Sequence, residues 1–348
     1  MAMQKIVAGL VLFVGLTGGA WAAAADNCPS TDSLKIICGA DAVEDLERVG
    51  SSKWLIGSGL AESGGHLLLI DTTAKRLESI YPVGQTKPAH DARRFPDCRD
   101  EPDPKKFSAH GISLRDAGGG RQELMVINHG GREAIEFFAV TMPGGKPAVQ
   151  WLGCVIMPPD TSVNSVAPMP DGGFVTTLFN VPSKGGINAV FNREVTGGLL
   201  RWTPGGKVTA IPGTEVSGAN GVLVSQQGRV IHMAAWGTRE LVRFEWKDGK
   251  LSKRTVPLGF AGDNLRWSQD GRSILVGGQK FEPRPGGPAA LDGWSVVRVD
   301  PDTLAVKMVR DAGPKEVMQG ITVGVEVGND IWVGQFRGNQ VGYFAIPK

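Results

Sequence analysis

Ser108-Ala-His-Gly-Ile-Ser-Leu114, continued by Met125-Val-Ile-Asn-His129, decides the fold. It reads as a strand, a glycine-rich turn at Asp116-Ala-Gly-Gly-Gly120, and a returning strand at Leu124-Met-Val-Ile127. A polar residue, His110, stands two positions before the first apolar core candidate, Ile112. Five other stretches repeat this arrangement. Glu44-Asp-Leu46 leads to Trp54-Leu-Ile56, and Asn164-Ser-Val166 to Phe174-Val-Thr176. Asn220-Gly-Val222 leads to Val230-Ile-His-Met233, Asp263-Asn-Leu265 to Ile274-Leu-Val276, and Gln319-Gly-Ile321 to Ile331-Trp-Val333. The leading residues are 66, 54, 56, 43 and 56 positions apart.

Strand pairs recurring at this spacing are the sequence sign of a β-propeller. Each unit cannot bury its apolar face alone, and a closed ring leaves no long free edge. The expected fold is therefore all-β, a six-bladed β-propeller with a central metal site. If each leading residue starts the innermost strand of its blade, then Glu44, His110, Asn164, Asn220, Asp263 and Gln319 face one point on the axis. Leu34-Lys-Ile-Ile37 would supply the outer strand of the last blade, because only three strand candidates follow Gln319.

Composition agrees. With 49 glycines, 22 prolines and 7% aromatics in 348 residues, the chain suits many short strands and turns. A net charge of +2 without a basic cluster argues against nucleic acid as a partner. Residues 1–25 read as a secretory signal peptide: Lys5, an apolar Ile6–Leu16 core, then small residues, with cleavage expected between about Ala23 and Ala25. The sequence before Cys28 lacks a lipoprotein pattern, and no later apolar run is long enough to span a bilayer. The expectation is one propeller domain over residues 26–348, periplasmic or secreted. In an oxidising compartment Cys28, Cys38, Cys98 and Cys154 imply disulfides. Three pairings are open, of which Cys28–Cys38 with Cys98–Cys154 is preferred. The absence of a C-x-x-C spacing argues against structural zinc.

Oxygen donors from carboxylates and amides suit a hard cation of irregular coordination, so calcium fits Glu44, Asn164, Asn220, Asp263 and Asn264 better than magnesium or zinc. His110 and His129 fall at one end of a hairpin, where one ring can serve as base and the other hold its tautomer. Each residue has an ordinary alternative. Asn220-Gly alone is a turn dipeptide, Asn164 a loop residue after Pro158-Pro-Asp, Glu44 a helix start, and the histidines partners for buried backbone groups. The shared register distinguishes the functional reading. His66, His90 and His232 fall outside the pattern. Three long connections, from Tyr81 to Phe107, Asn180 to Gly198 and Phe281 to Gly293, are expected as walls of a pocket, with Phe179, Phe191, Trp236, Trp267 and Phe281 as its apolar lining.

Ala109-His-Gly-Ile-Ser113, Val126-Ile-Asn-His129, Glu44-Asp-Leu-Glu47, Ala219-Asn-Gly221, Asp263-Asn264 and the final run from Gln319-Gly to Gly334 resemble the serum paraoxonase/arylesterase family. More broadly they resemble the calcium-dependent, gluconolactonase-like propellers. The resemblance runs from about residue 38 to the end. It implies that Glu44, Asn164, Asn220, Asp263 and Asn264 ligate a catalytic calcium and that His110 and His129 form a catalytic dyad. It also implies hydrolysis of lactones and aryl esters. A second, structural calcium of that family would match Asp45 and the carbonyl of Ile112, but Ser165 stands where a further carboxylate is expected. Phe344 lies about where the family has its C-terminal disulfide cysteine.

The reading is a calcium-dependent hydrolase of a small lactone or an aryl or alkyl ester, with His110 as base, His129 as its orienter and Glu44 as the competing base. Two other classes remain open: a strictosidine-synthase-like propeller with non-hydrolytic chemistry, and a ligand-binding propeller without turnover.

Overall fold

The computed structural model describes residues 28–61, 64–83, 86–225, 227–284 and 287–347. The expected leader lies outside them. Six four-stranded antiparallel sheets form the blades of a six-bladed β-propeller. The innermost strands are Val43–Arg48, Ala109–Gly118, Ser162–Pro168, Ala219–Val224, Ala261–Trp267 and Ile321–Val327, numbered here as blades 1 to 6. Each touches the next around the ring, and the last returns to the first. Lys35–Cys38 pairs with Gln340–Ala345 as the fourth strand of blade 6, so the two ends of the chain close the ring as expected. Cys28–Cys38 and Cys98–Cys154 are both bonded, which is the preferred pairing.

Apolar side chains from the faces of adjacent blades form the cores. Ile56, Leu69, Ile112, Val126, Phe137 and Val166 belong to one such cluster spanning blades 1 to 3. The inner strands approach closely because two carry glycine next to the axial residue. A Cβ on Gly111 would lie 2.3 Å from the Asn164 carbonyl oxygen, and one on Gly221 would lie 2.2 Å from that of Asp263. Asn220-Gly221 is thus an inner-strand element required by backbone contact, not a turn.

The three long connections differ from a uniform set of walls. The first follows the outer edge of blade 2: the Thr86, Ala89 and Asp91 amides donate to the Val149, Trp151 and Leu152 carbonyls at 3.0, 2.9 and 2.8 Å. With Phe95 buried and Cys98 bonded to Cys154, it covers an exposed sheet edge. The second carries a short helix, Gly186–Phe191. The third is a long hairpin in which Phe281 faces Leu291, so strand pairing replaces the expected loop.

Candidate functional site

Every inner strand departs from regular pairing near its start: between Val43 and Asp45, Ala109 and Ile112, Val163 and Val166, Ala219 and Val222, Gly262 and Leu265, and Ile321 and Val323. Such bulges re-aim side chains out of the sheet alternation. Within them lie Glu44, His110, Asn164, Asn220, Asp263 with Asn264, and Thr322. Glu44 Oε1 accepts from Asn264 Nδ2 at 2.8 Å, and Glu44 Oε2 lies 3.6 Å from His110 Nε2. Asn164 Nδ2 is 3.5 Å from the same nitrogen. Side chains of blades 1, 2, 3 and 5 therefore meet across the ring, with Asn220 in the same register on blade 4.

Blade 6 corrects the expected pattern. Gln319 precedes its inner strand and donates to the Gly313 and Glu316 carbonyls. Gly320, at φ +69°, turns the chain, and Thr322 takes the bulge, its hydroxyl donating to the Glu44 carbonyl.

Glu44, Asn164, Asn220, Asp263 and Asn264 are all buried, and each keeps one side-chain oxygen without a hydrogen-bond partner: Oε2, Oδ1, Oδ1, Oδ1 and Oδ1. A buried polar atom left unpaired costs about 1–3 kcal/mol, so five at the bulges of four inner strands require an account. All are hard oxygen donors, three neutral and two acidic, which is the set a calcium ion takes. Burial pushes the carboxyls of Glu44 and Asp263 well above their ordinary range, with Asp45 raising Glu44 further and Glu44 raising Asp263. A bound cation reverses that logic. The residues present fit the ion.

The two histidines form a relay with a third residue that the sequence reading missed. Glu133 Oε2 lies 2.8 Å from His129 Nδ1, and His129 Nε2 lies 2.7 Å from His110 Nδ1. A carboxylate at Glu133 makes His129 Nδ1 the donor and its Nε2 the acceptor. His110 then donates from Nδ1 and presents the lone pair of Nε2 toward Glu44 and Asn164. Burial lowers the His110 pKa, against the pull of Asp263, Asp45 and Glu133, which keeps the ring neutral. Glu133 is fixed from the other side, since its Oε1 accepts from the Val163 amide at 2.8 Å. Asn128 Oδ1 accepts from the amides of Ser108 and Gly130 at 3.0 and 2.9 Å, tying together the chain segments that carry the two rings.

A second chain of support reaches Asp263. Trp236 Nε1 donates to Gln279 Oε1 at 2.9 Å, which fixes the orientation of that amide. Gln279 Nε2 then donates to Asp263 Oδ2 at 2.7 Å and to the Ile321 carbonyl at 2.8 Å. Four of the five expected lining aromatics cluster here: Phe179, Phe191 and Phe281 lie 6.1, 5.4 and 5.2 Å from Trp236, ring centre to ring centre. They follow the strand ends that pair with the axial ends of blades 3 to 5, and Phe191 is half exposed. Trp267 does not join them; it stands at the other end of its strand, beside His232. The three remaining histidines are remote from the relay. His90 stacks on Trp151, His232 Nε2 donates to the Pro301 carbonyl, and His66 lies 3.7 Å from Asp41.

Where a second ion was implied, the chain has its own cation. Arg266 donates to Asp45 Oδ2 at 2.6 Å and to the Ile112 carbonyl at 2.9 Å through one nitrogen, Nη2. Both donors suggested for a structural calcium are taken, so they do not fit a second ion. Ser165, in place of a further carboxylate, accepts the Val222 amide at 3.2 Å.

No protein-family model and no curated protein matches the chain. Solved structures do. A luciferin-regenerating enzyme superposes with a TM-score of 0.55 at 12% identity, over 90% of this chain and 95% of its own. A gluconolactonase from Xanthomonas campestris superposes at 0.52 and 15% identity, over 93% of both chains. The likeness is one of fold: this chain shares the architecture of these structures, and its chemistry is argued from its own residues.

Proposed function

We propose that this protein is an exported, calcium-dependent hydrolase of lactones or aryl and alkyl esters. The observation that supports the proposal is a histidine pair whose His110 Nε2 faces Glu44 and Asn164, two of five buried residues that each keep an oxygen without a partner. Glu44, Asn164, Asn220, Asp263 and Asn264 hold the ion, which when bound supplies a Lewis acid for the substrate carbonyl. His110 Nε2 takes a proton from the attacking water. The positive charge that this places on His110 is spread through His129 to the carboxylate of Glu133. The aromatic cluster around Trp236 receives the apolar part of the substrate, and a small-molecule substrate is the expected partner. Two disulfides accord with an oxidising compartment. Among the described residues no helix is long and apolar enough to cross a membrane.

The test is hydrolysis of a panel of small lactones and phenyl acetate by the purified mature protein, as prepared, after EDTA, and after calcium is restored. Loss and return of turnover is the expected result. Turnover unchanged by EDTA overturns the metal assignment, and stoichiometric calcium without turnover on any ester moves the protein to non-hydrolytic chemistry.

A further inference from the structure

Below the five axial oxygens the tunnel contains a second polar cluster of different character. The Arg266 side chain is buried and lies across the tunnel between blades 5, 1 and 2. Its Nε donates to the Leu46 carbonyl at 2.7 Å and lies 3.2 Å from Glu47 Oε2. Nη1 donates to the Leu265 carbonyl at 2.7 Å. Nη2 donates to Asp45 and Ile112 as described. Beneath this layer a cavity of about 260 Å³, lined by Glu47, Ser113, Leu223, Trp267, Glu326 and Arg266 itself, forms the lower mouth of the tunnel.

We infer that Arg266 is a built-in replacement for a divalent cation: its guanidinium fills an oxygen-lined cation site in the middle of the tunnel, and shortening the side chain converts that site into one for calcium. The donor chemistry supports this. Two carboxylates and three carbonyls, drawn from three inner strands, are an unusual environment for one side chain but an ordinary one for a hard ion. Asp45 Oδ2 and the Ile112 oxygen already lie 2.6 and 2.9 Å from a single nitrogen, close to the 2.3–2.6 Å that calcium requires. Asp45 and Glu47 turn their carboxyl oxygens to the guanidinium. Asp45 is fully buried, and its other oxygen accepts the Leu46 amide at 2.9 Å, so it is held whether or not a metal is supplied. The guanidinium also separates the upper site from the lower mouth, which leaves the His110 end as the route to the axial oxygens.

Equilibrium dialysis of calcium against wild type, Arg266→Ala and Arg266→Ala/Asp45→Asn, each followed by thermal unfolding, tests the inference. Arg266→Ala is expected to bind one calcium more per chain than wild type, whatever number wild type binds, and to regain on calcium addition much of the melting temperature it has lost. The double variant is expected to lose that extra ion. An Arg266→Ala protein that gains no ion, or that stays unfolded in saturating calcium, overturns the proposal. Asp45→Asn alone gives a check that does not depend on the arginine variant folding. It is expected to lower the melting temperature without changing calcium stoichiometry at saturation, and loss of an ion from it overturns the proposal as well. Because the readout is the difference from wild type, its failure is distinguishable from failure of the upper calcium site.

Discussion

The two halves of the tunnel are built by the same strands, a residue or two apart, and treat buried polar atoms in opposite ways. Above, Glu44 and Asp263 are buried acids with an oxygen each unpaired, and three amide oxygens share that condition. Below, Asp45 and Glu47 face a guanidinium whose three nitrogens meet Asp45, Glu47 and three backbone carbonyls. One half is satisfied without help and the other is not. The contrast sets a self-contained polar tie against a cluster of buried oxygens that the fold alone leaves uncompensated, and the proposed calcium site rests on that second condition.

The largest expected effect lies in the upper half. His110→Gln keeps a polar side chain beside Glu44 but removes the base, and should lower kcat by about 10²–10⁴ while calcium affinity is retained. Glu133→Gln acts through His129 and should cost less, about 10–100-fold, by analogy with the loss of an outer-shell partner. The check is kcat for each variant at saturating calcium, beside a direct calcium titration. Wild-type turnover in His110→Gln would transfer the role of base to Glu44. A Glu133→Gln loss equal to that of His110→Gln would mean that the relay, not the single lone pair, is the unit of catalysis.

Next comes stability, where the halves should differ in sign. Asp45→Asn removes the partner of a buried cation, and breaking such a pair costs about 3–5 kcal/mol. Asp263→Asn removes a buried acid that Gln279 and His110 compensate only in part, and should stabilise the calcium-free protein by about 0.5–2 kcal/mol while removing calcium binding. Urea unfolding in EDTA measures both. Destabilisation of similar size in the two variants would erase the distinction drawn between the halves.

The period of the blades is legible because each inner strand repeats one local pattern, and the axial polar residues of blades 1 to 5 are legible because a bulge puts a polar residue inside an apolar strand. Blade 6 shows where that reading ends. Its polar residue two positions before Ile321 is Gln319, but the turn at Gly320 leaves Gln319 outside the sheet, and the bulge falls on Thr322. Glu133 stood four residues after His129 and could have been suspected from that spacing. Its second contact, to the Val163 amide, is 30 residues away. Arg266 meets the Ile112 carbonyl across 154 residues, and Gln279 meets Trp236 across 43. Such partners are set by ring closure, which no local window contains. The Phe281–Gly293 stretch was misjudged for a related reason: its prolines and glycines signal a loop, yet the flanking residues extend a hairpin.

The smallest expected effect is a pH dependence that only the upper half should impose on calcium binding. Burial raises both Glu44 and Asp263 above their unfolded values of about 4. A carboxyl raised in this way contributes stability that is complete below the unfolded pKa and is lost as pH rises through the folded one. In the calcium-free protein the pair therefore favours the fold in acid and weakens it as the solution becomes neutral. Calcium needs both groups ionised, so its binding must expel their protons. The melting-temperature increase on calcium addition should then be greatest near about pH 8 and shrink toward about pH 5, with proton release detectable in weakly buffered solution. The acids of the lower half face Arg266 instead of an added ion, so calcium should draw no protons from them, although burial raises Glu47 itself to about 7. A calcium-induced shift that stays constant over this range would mean that Glu44 and Asp263 are ionised without metal. Something other than calcium would then have to compensate them, and the upper half would resemble the lower.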